Sequence, residues 1–131
     1  MQIKYLGHSA FEIETNGKKI LIDPFLIMSP NYNPQGVVDI FVTHGHGDHL
    51  GSAIEISKKT GAPIVHTYHT MYEDYMYLVT KGHFDKVSRE FVRKTVKTFL
   101  DKTCNQVIVP TEKVYKMLKD EYKVEKDIHI I

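Results

Sequence analysis

The sequence predicts an α/β domain: a layered fold with a mixed sheet, in which an N-terminal antiparallel β-meander leads into parallel strand–helix units. Three observations carry this. Ile3 and Tyr5, then Phe11 and Ile13, alternate with polar residues, and Ile20-Leu21-Ile22 closes the series, with Asn16-Gly17 between the second and third runs. Asn-Gly tolerates the positive φ of a tight hairpin turn, so the three runs read as a meander. Val37 to Val42 is apolar nearly throughout and is followed by a helical stretch and then by Ala62-Pro63-Ile64-Val65-His66, the layout of a parallel crossover. From Phe84 onward apolar residues recur every three or four positions, the period of an amphipathic helix.

Taken in order, strands are expected near 2–6, 10–15 and 19–23, the last ending at Asp23-Pro24-Phe25. Residues 26–38 hold Ser29-Pro30, Asn33-Pro34 and Gln35-Gly36 and read as a loop. Residues 37–42 form a fourth strand, expected to be covered on both faces because it is so uniformly apolar. One helix from Asp48 to Thr60 follows, with Lys58 and Lys59 in its last turn and Gly61 beyond it. Residues 62–66 form the fifth strand. Thr70-Met71-Tyr72-Glu73 has the form of a capping box, opening a tyrosine-rich helix to about Thr80. Phe84, Val87, Phe91, Val92, Val96, Phe99 and Leu100 mark the apolar stripe of a long helix. Residues 106–109 form a sixth strand, a helix begins at Thr111 with Val114, Tyr115, Leu118 and Tyr122 on one side, and residues 128–131 form a seventh strand. The strand–helix units after the meander are Rossmann-like.

The chain has 131 residues, the size of a single domain with one core, and 42% apolar and 25% charged residues, ordinary for a globular protein. Net charge is +1, which argues against a nucleic-acid partner. The one cysteine, Cys104, excludes an internal disulfide and reads as a small buried residue. No signal peptide or membrane-spanning run is seen, so the expected location is cytoplasmic. Lys86, Arg89, Arg93, Lys94, Lys97 and Lys102 lie opposite the stripe of the long helix. A solvated basic face is the favoured reading, with contact to anionic lipid as the alternative. Tyr72, Tyr75 and Tyr77 are expected to pack rather than to line a ligand pocket. Unpaired strands at the sheet edges offer a route to homodimerisation.

Side-chain chemistry is dense in one place, Thr43-His44-Gly45-His46-Gly47-Asp48-His49, between the fourth strand and the helix. His-x-His in a turn brings two imidazoles within reach of one ion. Asp48 and His49, one turn on, point to a second ion nearby. Neutral imidazole with an added carboxylate suits zinc, manganese or iron. His8, at a strand end, reads as a turn residue.

Thr43 to Gly51 matches the H-x-H-x-D-H signature of the metallo-β-lactamase superfamily. Residues 1–61 resemble its metal-dependent hydrolase branch, through Ile3 to Phe11, Asn16 to Phe25 and the turn itself. That resemblance implies His44 and His46 on a first metal and Asp48 and His49 on a second, with Asp48 as the catalytic residue that orients the attacking water. It also implies a third histidine, a bridging aspartate in a Gly-Asp context and a further histidine, and no Gly-Asp pair follows Asp48 here. Residues 62–131 resemble a different family, the N-terminal acceptor domain of family-4 glycosyltransferases. Pro63 to Tyr75, Val107 to Val114 and the closing Ile128 to Ile131 carry that likeness, and His69 falls near the acceptor site.

Together these readings describe one domain recombined or engineered from two α/β parents, joined near Gly61–Val65. The expectation is no complete active site and at most weak metal binding at an inherited half-site. Two alternatives stand beside it. One is a working metal-dependent hydrolase acting on an ester or lactone, with His66 or His69 supplying a third ligand. The other is a remnant that binds lipid or a sugar acceptor.

Overall fold

The computed structural model describes residues 1–69, 72 and 86–131. Seven strands form one sheet in chain order: β1 (Gln2–Gly7), β2 (Ala10–Thr15), β3 (Lys18–Ile22), β4 (Val37–Val42), β5 (Ile64–Thr67), β6 (Gln106–Val109) and β7 (Ile128–Ile130). β1, β2 and β3 pair antiparallel, and every later step is parallel. The meander, the mixed sheet and the parallel strand–helix units are thus as the sequence predicts.

Four helices are described: α1 (Gly47–Leu50), α2 (Ala53–Thr60), α3 (Lys86–Thr103) and α4 (Glu112–Lys116), the last running on into a π-turn at Met117–Glu121. Strands in strictly consecutive order step across the sheet in one direction. Right-handed crossovers then put the described helices of the parallel connections on one face. The packing follows. Ala53 and Ile56 of α2 cluster with Leu21, Ile40, Val42 and Ile64, while Val96 and Leu100 of α3 and Val114 after β6 cluster with Val107 and Val109. The pairing register places Leu21, Ile40, Ile64, His66, Val107 and Val109 on this one covered face.

The same register sets Ile3, Tyr5, Phe11, Ile13, Ile20, Ile22, Phe41, Val65 and Ile108 on the other face. None of these is buried, and Ile3 and Tyr5 are 64% and 61% exposed. The expectation that β4 is covered on both sides is therefore corrected: Val37, Ile40 and Val42 are buried, but Phe41 is exposed. An unbroken apolar run marks a strand without saying how many of its faces are packed.

The helix expected from Asp48 to Thr60 is two helices. Gly51 separates them at φ 42°, and the amide of Ser52 donates to the Pro24 carbonyl at 2.9 Å. A Cβ at Gly51 would lie 2.7 Å from both Phe25 Cα and the Pro24 oxygen. The break is a close backbone contact that draws the end of β3 against the turn after β4, and only glycine fits it. The loop after β3 contains one turn of 3₁₀ helix, Leu26–Met28. In α3, Val96 and Leu100 are buried and Val92 and Phe99 partly so, but Val87 and Phe91 are exposed, so the apolar stripe packs only toward the C-terminal end. The tyrosine-rich helix expected at 70–80 lies outside the described residues apart from Tyr72, as do Tyr75, Tyr77 and Phe84. No described helix is long and apolar enough to cross a membrane. Part of the basic face of α3 is met by carboxylates: Arg93 by Glu121, Lys94 by Glu90, and Lys97 by Asp101 and Glu125.

Candidate metal centre

The turn after β4 is held from below by a residue the sequence reading treated only as a strand end. Asp23 is 3% exposed and sits just past β3, beside β4 in the parallel pair. Its φ of 46° is a left-handed conformation that Asp tolerates better than most residues. One oxygen accepts from the Thr43 amide at 2.7 Å, and the other accepts from the Thr43 hydroxyl at 2.7 Å and from His49 Nδ1 at 2.8 Å. A buried carboxylate satisfied by three donors fixes both ends of the turn, Thr43 and His49, at once.

These bonds also fix tautomers. The His49 proton must be on Nδ1 to reach a carboxylate, which leaves Nε2 with a free lone pair. The Thr43 hydroxyl spends its proton on Asp23 and so accepts from His44 Nδ1 at 3.1 Å, leaving His44 Nε2 bare as well. That nitrogen faces His46 Nδ1 at 3.1 Å, the two rings edge to face with centroids 4.6 Å apart. Two nitrogens each about 2.0–2.1 Å from a tetrahedral ion stand about 3.3 Å apart, so this pair is already at ligand spacing. Burial, reinforced by the neighbouring His49, His46 and His69, lowers the His44 pKa against the opposing pull of Asp23 and keeps the ring neutral, the form a metal binds.

The four residues singled out from the spacing are thus brought together, with the His44 ring linking two groups, its centroid 3.9 Å from that of His49 and 4.6 Å from that of His46. His44 and His46 form one pair. Asp48 and His49 lie near a further partner, His8, whose place in the sequence suggests only a turn residue. His8 Nε2 is 3.0 Å from Asp48 Oδ2, and one donor atom from each of His8, Asp48 and His49 can be chosen so that all three lie within 4.8 Å of one another. Desolvation pulls the Asp48 pKa up, but the His8 hydrogen bond, a backbone hydrogen bond and the charges of His49 and His8 together hold it below the usual carboxylate value.

Of the two later histidines considered as third ligands, His69 is placed beside the turn, its ring 5.6 Å from that of His44. His66 is not. It is 1% exposed on β5, its Nδ1 has no hydrogen-bond partner among the described residues, and burial lowers its pKa to about 4. It faces a largely apolar cavity of about 350 Å³ that opens beside the turn, bounded by Gly45, Leu50, His66, Tyr68, Tyr72 and Phe99 among others. Tyr72 spans the two halves of the chain: it packs against the C-terminal core cluster, and a hydrogen bond from the Gly45 backbone touches its hydroxyl. A Cβ at Gly45 would lie 2.7 Å from that oxygen. Cys104 is buried, and burial pushes its thiol up to about 12, so it is no nucleophile.

Asp23 could have been found only from its place one strand over, at the end of β3, because the contacts that matter span 20 and 26 residues. The reach of His8 spans 40. Neither leaves a local signal.

Residues 24–131 match the family model described as Glycosyltransferase Family 4. Among curated proteins, the chain is 52% identical over 71 residues to a UPF0173 metal-dependent hydrolase of Chelativorans sp. (strain BNC1), covering 50% of this chain and 30% of that protein. A UPF0173 metal-dependent hydrolase of Methanopyrus kandleri is 53% identical over 72 residues, covering 52% and 31%. One from Alkaliphilus metalliredigens is 45% identical over 85 residues, covering 63% and 36%. A solved structure, Igni18, a metallo hydrolase from Ignicoccus hospitalis, aligns over 61% of this chain and 36% of its own, at 35% identity and a TM-score of 0.43. The chain spans about a third of the length of these curated relatives. Both resemblances read from the sequence are found, the hydrolase likeness among relatives and the glycosyltransferase likeness in the family model.

Proposed function

The chain belongs to glycosyltransferase family 4 across residues 24–131, and we propose that its chemistry nevertheless resides in the turn after β4, as a divalent-metal site of the metal-dependent hydrolase type. The substrate class is an ester or lactone. The observation that supports this best is the facing of His44 Nε2 and His46 Nδ1 at 3.1 Å, with the other nitrogen of His44 already engaged by Thr43. A donor pair at ligand spacing, backed by a second layer that fixes its tautomer, is what a metal site requires and what a solvated turn does not. The UPF0173 relatives are named metal-dependent hydrolases, which supports the same reading.

His44 and His46 would hold one ion, with His69 near enough to approach it. Zinc, manganese and iron all suit the donor set. Such an ion, when bound, supplies Lewis acidity and a more acidic water. The protein supplies the rest. Asp23 locks the turn through Thr43 and His49, so the donors need little reorganisation. Asp48, exposed and ionised, would orient a water at the mouth of the site. Gly45 lets the Tyr72 hydroxyl close against the turn, and the apolar cavity beside it has the character needed for the carbon skeleton of a small ester.

A recombined origin, with a join near residues 61–65, is the reading that the relatives support less: on it the site is an inherited one on a shared sheet, with turnover requiring more ligands than the described residues bring together. Metal analysis after purification, followed by hydrolysis of an aryl ester and a simple lactone with and without chelator, tests the proposal. Stoichiometric metal with chelator-sensitive hydrolysis supports it in full. Metal without hydrolysis restricts it to a binding site, and no metal at all refutes it.

A further inference from the structure

We propose that His8 is a protein ligand of the second metal position, shared with Asp48 and His49. This rests on the metal-site reading above and adds to it a residue that lies outside the H-x-H-x-D-H turn. The support is geometric. His8 Nε2 and Asp48 Oδ2 are 3.0 Å apart, and donor atoms of His8, Asp48 and His49 lie within 4.8 Å of one another. Any three points that close can be reached from one centre at about 2–2.8 Å, so contraction by a few tenths of an ångström gives metal–ligand distances. The His8 ring stands 5.5 Å from that of His49, edge on, and 5.6 Å from Phe25, which backs it.

The backbone is consistent with a placed residue. His8 occupies the two-residue turn between β1 and β2 at φ 53°, a left-handed conformation uncommon outside glycine, asparagine and aspartate. Gly7 precedes it at φ 109°, and a Cβ there would lie 2.6 Å from Met28 Cβ. The hairpin turn is thereby pressed against the segment after β3, and the imidazole is aimed across it at α1. A strained residue whose side chain reaches a carboxylate 40 positions away points to use rather than accident. The ion would take the place of the proton now shared between His8 Nε2 and Asp48 Oδ2, with the His8 proton moving to Nδ1.

The bland alternative is that His8 only hydrogen-bonds Asp48 and steadies it. The two roles separate under substitution. His8→Asn keeps the left-handed backbone but is too short to reach the ion. His8→Gln can still donate to Asp48 through its amide but is a poor ligand. The full-length chain, stripped of metal, is titrated with Co²⁺ by calorimetry, and the proton NMR spectrum of the loaded protein is scanned for contact-shifted imidazole N–H signals. The wild type is expected to take two ions. Both variants are expected to keep the first, to bind the second at least tenfold more weakly, and to lose one shifted N–H signal.

A His8→Gln protein that takes the second ion like wild type overturns the ligand assignment and leaves a positioning role. Second-site affinity equal to that of the wild type in both variants overturns it outright. A wild type that binds one ion only also overturns it while leaving the His44–His46 site standing, and a wild type that binds none refutes the metal-site reading itself.

Discussion

Two strand-to-helix junctions lie at the same end of the parallel strands, one after β4 at Thr43–His49 and one after β6 at Pro110–Val114. They are built differently. After β6, Thr111 takes an extended conformation and its hydroxyl accepts from the Val114 amide, the ordinary way to satisfy an exposed helix N-terminus. After β4 no side chain caps either short helix, since neither His46 nor Ser52 makes a capping bond. The polar groups there face one another and Asp23 instead. The junction after β6 spends its residues on the helix, and the one after β4 keeps helix stabilisation low and arranges donors around a point in space. The flanking cores match this division. The C-terminal cluster, from Tyr68 to Val124, holds Leu100, Val107, Val109 and Leu118 at essentially no exposure and lends the site only its apolar wall.

Substitutions should expose the asymmetry. The largest stability effect is expected from Gly51→Ala, about 3 kcal/mol by chemical denaturation. The new methyl meets backbone atoms of Pro24 and Phe25, which cannot swing away, at a positive φ. Gly61→Ala, at φ 76° with no heavy atom within 4 Å of the new carbon, should lose only about 1 kcal/mol. Equal losses at the two glycines would mean that the contact between Gly51 and the Pro24 segment does not hold the turn.

Asp23→Asn should lose about 2 kcal/mol, because the amide can accept from Thr43 but presents a donor where His49 Nδ1 also donates. Metal affinity at His49 should fall with it. A loss of stability with unchanged metal binding would show that Asp23 serves the fold alone.

His66, on β5 between the two core clusters, sets an acid limit. Its pKa is lowered in the fold to about 4 from an ordinary 6.5, so the folded state resists protonation. The associated stability is fully present above about pH 6.5 and is lost as pH falls toward 4. In metal-free protein about 2 kcal/mol should disappear between pH 8 and pH 5, and His66→Leu should flatten that part of the profile. The smallest effect is expected at the other junction. Thr111→Ala should remove about 0.5–1 kcal/mol, since its cap is a long 3.3 Å bond, and should leave metal binding untouched.

Much of this was legible in the chain. Alternation with Asn16-Gly17 specified the meander, and the spacing from Val37 to His66 specified the first parallel crossover. The H-x-H-x-D-H spacing brought its own four residues together because a turn of seven residues has little freedom. What local pattern did not carry was long-range. Asp23 and His8 reach the turn from 20 to 40 residues away, Gly51 breaks a helix because of a backbone contact with Pro24, and the apolar run of β4 is packed on one face only. Periodicity reports which side chains share a face, whereas partners across a sheet depend on where the strands come to lie.

The chemistry of the site depends on whether the turn after β4 binds metal through the facing nitrogens of His44 and His46. Calorimetric titration of the chelator-treated full-length chain with Zn²⁺, beside His44→Ala and His46→Ala, tests this directly. The predicted result is stoichiometric binding by the wild type and a loss of at least a hundredfold in affinity in each variant, with Thr111→Ala binding like wild type. Undetectable binding by the wild type, or variants that bind as tightly, would contradict it.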